Sequence, residues 1–193
     1  MAVQPKQYDL ELSRRADFSL RLGFKSELII KTSQVNISTN VITVEAHGLA
    51  NDDPVTYYTK DGTALEPLVN ETTYYVRDKT DDTFKLATHI GGAAIDLTSQ
   101  GNSIQVLTVR NNLTGCLVDA EVWDVNRTIK AADFSVAYTS PTTGIVDLSL
   151  TDEQTATLTA DTYKWDALLQ NGEGLKEYYV RGNINVSESY STT

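Results

Sequence analysis

Apolar and polar residues alternate along much of this chain. Tyr8, Leu10 and Leu12 occupy every second position of Tyr8-Asp9-Leu10-Glu11-Leu12, and the polar stretch Ser13-Arg14-Arg15-Ala16-Asp17 interrupts the pattern. It then resumes, with Phe18, Leu20, Leu22 and Phe24 on one face and Ser19, Arg21 and Lys25 on the other. Side chains of a strand point alternately to its two faces, so a period of two predicts two half-buried strands joined by a turn.

From Glu27 to Arg110 the texture changes. Short apolar runs, Glu27–Lys31, Val41–Glu45, Pro54–Thr59, Thr72–Arg77, Thr83–Thr88 and Ser103–Val109, are separated by Asn, Asp, Gly and Pro clusters such as Ser38-Thr39-Asn40, His47–Pro54, Lys60-Asp61-Gly62 and Lys79–Asp82. Those clusters favour tight turns, and six short strands at close spacing predict a small barrel or curled sheet.

Longer alternation returns after Asn111, in Leu117–Trp123, Phe134–Tyr138 and Gly144–Leu150. A helical turn follows: Thr151 is placed to cap it, Asp152 and Glu153 suit the positive end of its dipole, and Gln154 completes the capping-box spacing. It is expected to end by Leu158, because Tyr163, Trp165, Ala167 and Leu169 restart a strand. Asn171-Gly172-Glu173-Gly174 reads as a hairpin turn, Tyr178–Val186 as the last strand and Ser187–Thr193 as a frayed end.

Composition agrees with strands. Thr, Val, Ile and Tyr recur, while no Ala/Leu/Glu/Lys block lasts three helical turns. Net charge is −10, with 16 basic residues scattered among 26 acids, so the chain lacks the basic face that nucleic acid requires. No apolar run reaches about 18 residues and no leader pattern opens the chain, which predicts synthesis in a reducing cytosol and no membrane partner.

Catalytic chemistry finds little to build on. His47 and His89 both sit beside glycine-containing turns, and no Gly-x-Ser-x-Gly elbow occurs. The single Cys116 lies in an apolar stretch and reads as a structural thiol. Asp119, Glu121, Asp124 and Asp166 are the acids that a glycosidase pair would draw on, yet Asp119 and Glu121 belong to the polar side of a strand. Gly91-Gly92 lacks the following Lys-Ser/Thr of a phosphate loop. Asp78, Asp81 and Asp82 share one loop without calcium-loop spacing. The expectation is therefore a non-enzymatic chain with no cofactor and no metal. Adjacent tyrosines, Tyr57-Tyr58, Tyr74-Tyr75 and Tyr178-Tyr179, should each put one ring inward and one outward. Tyr58, Tyr75, Trp123 and Tyr179 are the candidate partner contacts, since an outward aromatic offers large area at small entropy loss.

The outer parts of the chain resemble the N-terminal β-sandwich module of phage tail-fibre and baseplate proteins. The residues that carry this are Tyr8–Leu12, Arg14–Asp17, Phe18–Phe24, Leu113-Thr114-Gly115, Val118-Asp119-Ala120, Leu148–Thr151, Gln154-Thr155-Ala156, Thr162–Asp166 and Arg181-Gly182. Two positions depart from that pattern: Arg15-Ala16-Asp17 replaces a glycine-containing turn, and Asp161 stands where glycine often precedes Thr-Tyr. In that module the second strand and the Leu-Thr-Gly step lie close together, whereas here a long segment separates them. That segment resembles a repeat of phage structural proteins through His47-Gly48-Leu49, Asp53–Tyr57, Thr72–Val76 and Thr83–Ala87. The resemblance implies an all-β fold: an immunoglobulin-like antiparallel β-sandwich from residues 1–26 and 111–193, with a small β-barrel-like domain, 27–110, inserted in a loop. It implies a virion structural protein of a tailed bacteriophage, a tail, baseplate or fibre-attachment component that partners other virion proteins and forms a homo-oligomer in the particle. The alternatives are a carbohydrate-binding module for a host surface glycan, using outward Tyr or Trp123, and a capsid decoration protein.

Overall fold

In a computed structural model, which describes residues 5–60, 62–102 and 104–189, the chain is nearly all β and divides into two compact units. One is formed by the chain up to Phe24 and from Asn112 onward, the other by Lys25–Asn111.

The first unit opens with β1 (Lys6–Gln7), β2 (Leu10–Ser13) and β3 (Phe18–Gly23). The strands β4 (Lys25–Ile30), β5 (Val35–Asn36), β6 (Val41–Thr43), β7 (Pro54–Thr59), β8 (Thr72–Arg77), β9 (Thr83–Ala87) and β10 (Gln105–Arg110) make up the second unit. The first then resumes with β11 (Leu117–Trp123), β12 (Lys130–Asp133), β13 (Ser135–Ser140), β14 (Ile145–Leu150), helix α1 (Asp152–Thr157), β15 (Thr162–Gln170) and β16 (Lys176–Ser187).

Two sheets make the sandwich. The larger runs β16-β15-β11-β12, with β1 and β2 both laid along the free side of β16; the smaller runs β13-β14-β3. Pairing is antiparallel except at β1 and β2, which run parallel to β16. The core takes Leu10, Leu12, Val118, Ala120, Val122, Trp165, Ala167 and Ile184 from one sheet and Val146, Leu148 and Leu150 from the other, the alternate positions of each strand.

The interruption between β1 and β2 has a specific cause. At Tyr8 the backbone turns inward so that its carbonyl accepts the indole N–H of fully buried Trp165 at 2.9 Å. The chain can come that close only because residue 182 is glycine, where a Cβ would lie 1.8 Å from the Tyr8 oxygen. Asp9 then accepts the Asn183 N–H at 2.8 Å, a bond that holds its carboxyl below the usual range.

Helix α1 ends where its caps place it. The Thr151 hydroxyl accepts the Gln154 N–H and the Gln154 side chain accepts the Thr151 N–H, so the capping box is complete. The buried Thr155 hydroxyl meets both backbone groups of Ala16, at 3.2 and 2.9 Å, tying the helix to the β2–β3 turn. In that turn Arg15 takes a left-handed φ of 56°.

All pairs of the second unit are antiparallel, in the order β4-β10-β7-β8-β9-β6-β5. Its two edge strands, β4 and β5, are separated in sequence by four residues. A short linker of that kind spans about 17 Å fully extended, whereas six strand spacings span about 29 Å, so the sheet must curl. Inside the curl Ile30, Ile42, Val55, Tyr57, Val76, Phe84 and Leu107 form a separate core. Two inward tyrosines anchor the long β7–β8 loop: Tyr57 accepts the Leu65 N–H at 2.7 Å and Tyr74 accepts the Val69 N–H at 2.8 Å. The Tyr57 hydroxyl also donates to the amide oxygen of buried Gln105. The six strands expected here are present; Ser103, which opened one of them, lies outside the described residues, as do Asp61 and residues 190–193. Lys25, Ser26 and Asn111, grouped with the sandwich from sequence, pair within this unit: Lys25 with Arg110, and Ser26 through its hydroxyl with Asn111 at 2.9 Å.

Candidate functional site

The larger sandwich sheet has an inner face in the core and an outer face that carries most of the predicted chemistry. In β11 the inward Val118, Ala120 and Val122 leave Leu117, Asp119, Glu121 and Trp123 outward. Register sets Trp123 opposite Lys164, Glu121 opposite Asp166 and Asp119 opposite Leu168. Across the next ladder Asp166 faces Arg181 and Leu168 faces Tyr178.

A charged cluster occupies the middle of this face. Asp166 is only 6% exposed although it lies on the solvent side of its strand, because the β11–β12 hairpin folds Arg127 over it in an ion pair. The hairpin is shaped by Asp124, whose carboxylate accepts the Ile129 N–H at 2.8 Å, the Thr128 N–H at 2.6 Å and the Thr128 hydroxyl at 3.0 Å. Those bonds, led by Ile129, keep the Asp124 carboxyl below its ordinary value. Glu121 accepts the Trp123 indole N–H at 3.0 Å and the Lys130 ammonium at 3.3 Å, so half-buried Trp123 has its one polar atom committed within the protein.

An apolar group lies at the other end of the same face. Leu117 (63% exposed) and Tyr178 (53%) flank half-buried Leu168, which is opposite Tyr178 and diagonal to Leu117, and exposed Leu175 lies in the turn that follows β15. Tyr178 points out, contrary to the reading that made Tyr179 the outward member of the pair. The cause is a β-bulge: Ala167 pairs with Val180 but Leu168 pairs with Tyr178, leaving Tyr179 as the extra residue and reversing the alternation. Tyr179 instead packs on Phe24, ring centroids 4.3 Å apart, and donates its hydroxyl to the Gly23 carbonyl at 3.0 Å.

The other predicted positions are dispersed. Tyr58 is half-buried on the outside of the second unit beside Val106, and Tyr75 is half-buried opposite Pro54, at the other end of β7. His47 is buried, its Nδ1 accepting the Leu49 N–H at 3.0 Å and its edge against Phe84. His89 bonds its neighbour Thr88 in a loop, and Cys116 is half-buried against the sandwich core. Asp82 caps the Ala46 N–H and Asp78 pairs with Lys85 at 3.2 Å; no group of three or more potential metal ligands occurs among the described residues. The Arg127–Asp166 clamp was not anticipated. Its one sequence signal is an acid set into the apolar run Trp165-Asp166-Ala167-Leu168.

No family model matches the chain, and no curated protein matches it. Among solved structures, the chain has been aligned with AggA, the major subunit of aggregative adherence fimbriae type I from Escherichia coli, at 11% identity over 92% of this chain and 90% of that one. The TM-score is 0.17, too low to indicate a shared fold.

Proposed function

We propose that this chain is a structural component of a tailed-bacteriophage virion, a tail, baseplate or fibre-attachment part that works by association with other virion proteins. The observation that supports this most directly is the apolar end of the outer sheet face. Leu117 and Tyr178 stand exposed on rigid strands beside half-buried Leu168, and contiguous apolar groups of this kind mark interaction surfaces. The neighbouring Arg127–Asp166 clamp supplies a pre-set polar border. The residue pattern shared with tail-fibre and baseplate modules points to the same class, and repeated copies in a particle would bury this face by symmetry.

The test has two arms. Mass spectrometry of particles purified from the encoding phage should find the chain in stoichiometric amount; its absence would reject a virion role. The double variant Leu168→Glu, Tyr178→Ala should fold, by circular dichroism, yet be lost from particles. Normal incorporation would reject this face as the contact.

A further inference from the structure

A groove of about 400 Å³ lies on the second unit where β5 forms the free edge of the curled sheet. Its lining has an unusual chemistry for so acidic a chain. Gln34, Asn36, Gln100, Ser33 and Thr43 supply amides and hydroxyls, Ile37 supplies an exposed aliphatic surface, and no charged side chain takes part.

The three amides are held at one end and open at the other. Gln34 accepts the Lys31 N–H through Oε1 at 2.8 Å. Asn36 accepts both the N–H and the hydroxyl of Ser38 through Oδ1, at 3.0 and 2.7 Å. Gln100 donates Nε2 to the Val35 carbonyl on the free edge of β5. These bonds use one atom of each amide and leave Gln34 Nε2, Asn36 Nδ2 and Gln100 Oε1, two donors and one acceptor, outside them on residues that line the groove. A hydroxyl both donates and accepts, so a set of hydroxyls is ligand chemistry that matches a lining of mixed donors and acceptors. An ionised ligand would find no counter-charge here and would meet the repulsion of a chain carrying ten excess negative charges if it were an anion.

We infer that this groove binds a neutral saccharide unit, its hydroxyls held by Gln34, Asn36 and Gln100 and its aliphatic face resting on Ile37. The inference is independent of the proposed virion role and of the sandwich face, since every lining residue belongs to the second unit. It also differs from recognition by outward aromatics, because no aromatic ring lines the groove. With few contacts and no stacking partner the affinity of one site is weak, with Kd on the order of 1 mM.

Side-chain amide signals in a two-dimensional nitrogen–proton spectrum of the full chain provide the test. The probes are neutral di- to tetrasaccharides of glucose, galactose and N-acetylglucosamine, with sialyllactose as the charged comparison. At least one neutral probe should shift the Gln34, Asn36 and Gln100 signals saturably, and in the Asn36→Ala, Gln100→Ala variant the remaining Gln34 signal should report binding weakened about tenfold or more while the rest of the spectrum is unchanged. The inference is overturned if no neutral probe moves these signals at about 50 mM, some fifty times the expected Kd. It is also overturned if sialyllactose binds more tightly than every neutral probe, or if the Gln34 shift titrates with unchanged affinity in the double variant.

Discussion

The two units reach a β fold by different means. In the sandwich, long strands bury every second residue, so Val118, Ala120 and Val122 or Val146, Leu148 and Leu150 pack as their periodicity dictates, while side-chain bonds such as those of Asp9, Asp124 and Thr155 fix its edges and turns. In the inserted unit the described strands reach at most six residues, against twelve in the sandwich, and side chains bonded to backbone shape the long connections between them. Asn70 takes the Thr59 N–H, Asn51 the Lys79 N–H, Asn40 the Leu97 N–H and Asp53 the Ala50 N–H. Short strands bury little apolar area each, so satisfying loop backbone groups carries more of the specificity. The contrast can be measured because both tryptophans, Trp123 and Trp165, lie in the sandwich. Tryptophan emission during denaturation therefore follows that unit, while Tyr57, Tyr58, Tyr74 and Tyr75 belong to the other.

The largest expected effect comes from Gly182→Ala. The added methyl must displace the Tyr8 carbonyl, breaking its bond with Trp165 and shifting the whole β1–β2 edge. Overpacking combined with a lost buried hydrogen bond should cost about 3–4 kcal/mol. The tryptophan-monitored midpoint should fall steeply with emission shifted to the red. A change below about 1 kcal/mol would show that the edge can move aside at little cost.

Next in size is Tyr57→Phe in the insert. It leaves the Leu65 N–H and the buried Gln105 amide oxygen without this hydroxyl, a loss of about 2 kcal/mol. Amide exchange at Leu65 should accelerate while the tryptophan transition stays in place. If both move together, the two units unfold as one and the contrast between them has no energetic meaning.

How much was legible follows the same division. In the sandwich, Leu117–Trp123 and the Thr151 cap are where the pattern puts them, because apolar periodicity and capping chemistry are local properties. The strand Lys130–Asp133 was missed: Lys-Ala-Ala-Asp has no β pattern, and pairing to β11 alone makes it a strand. Val35–Asn36 was missed for the same reason, as a strand too short to carry a period. The Tyr178/Tyr179 error has a different origin. A single bulged residue leaves no mark in the sequence yet reverses the facing of everything before it in the strand. The candidate site was the least legible part, since Arg127 reaches Asp166 only through the hairpin that Asp124 shapes.

Thr151→Ala should be milder than either substitution above. It removes the hydroxyl half of the capping box and should cost about 1 kcal/mol, again in the tryptophan-monitored transition. Restoration by Thr151→Ser, which keeps the hydroxyl, separates capping from packing.

The smallest effect is also the most specific to one unit. Asp147 on β14 accepts two bonds from the Arg21 guanidinium of β3, at 2.8 and 3.0 Å, and one from the Thr139 hydroxyl at 2.6 Å. The Arg21 bonds are the main reason its carboxyl is held at about 2 rather than 3.8. A carboxyl whose value is lowered by folding stabilises the native state fully above the unfolded value, and that contribution disappears as pH falls through the folded one. The sandwich should therefore lose stability between pH 4 and 2, and Asp147→Asn should flatten that slope. Parent and variant should differ most above pH 4 and converge near pH 2. Because Arg21 is largely exposed, the difference should be small and should shrink further in high salt. Asp9 and Asp124, both lowered by backbone N–H bonds, belong to the same unit and keep a residual slope in the variant. A variant whose acid slope equals the parent's would show that the Arg21–Asp147 pair, though well formed across β3 and β14, contributes nothing to holding the smaller sheet together.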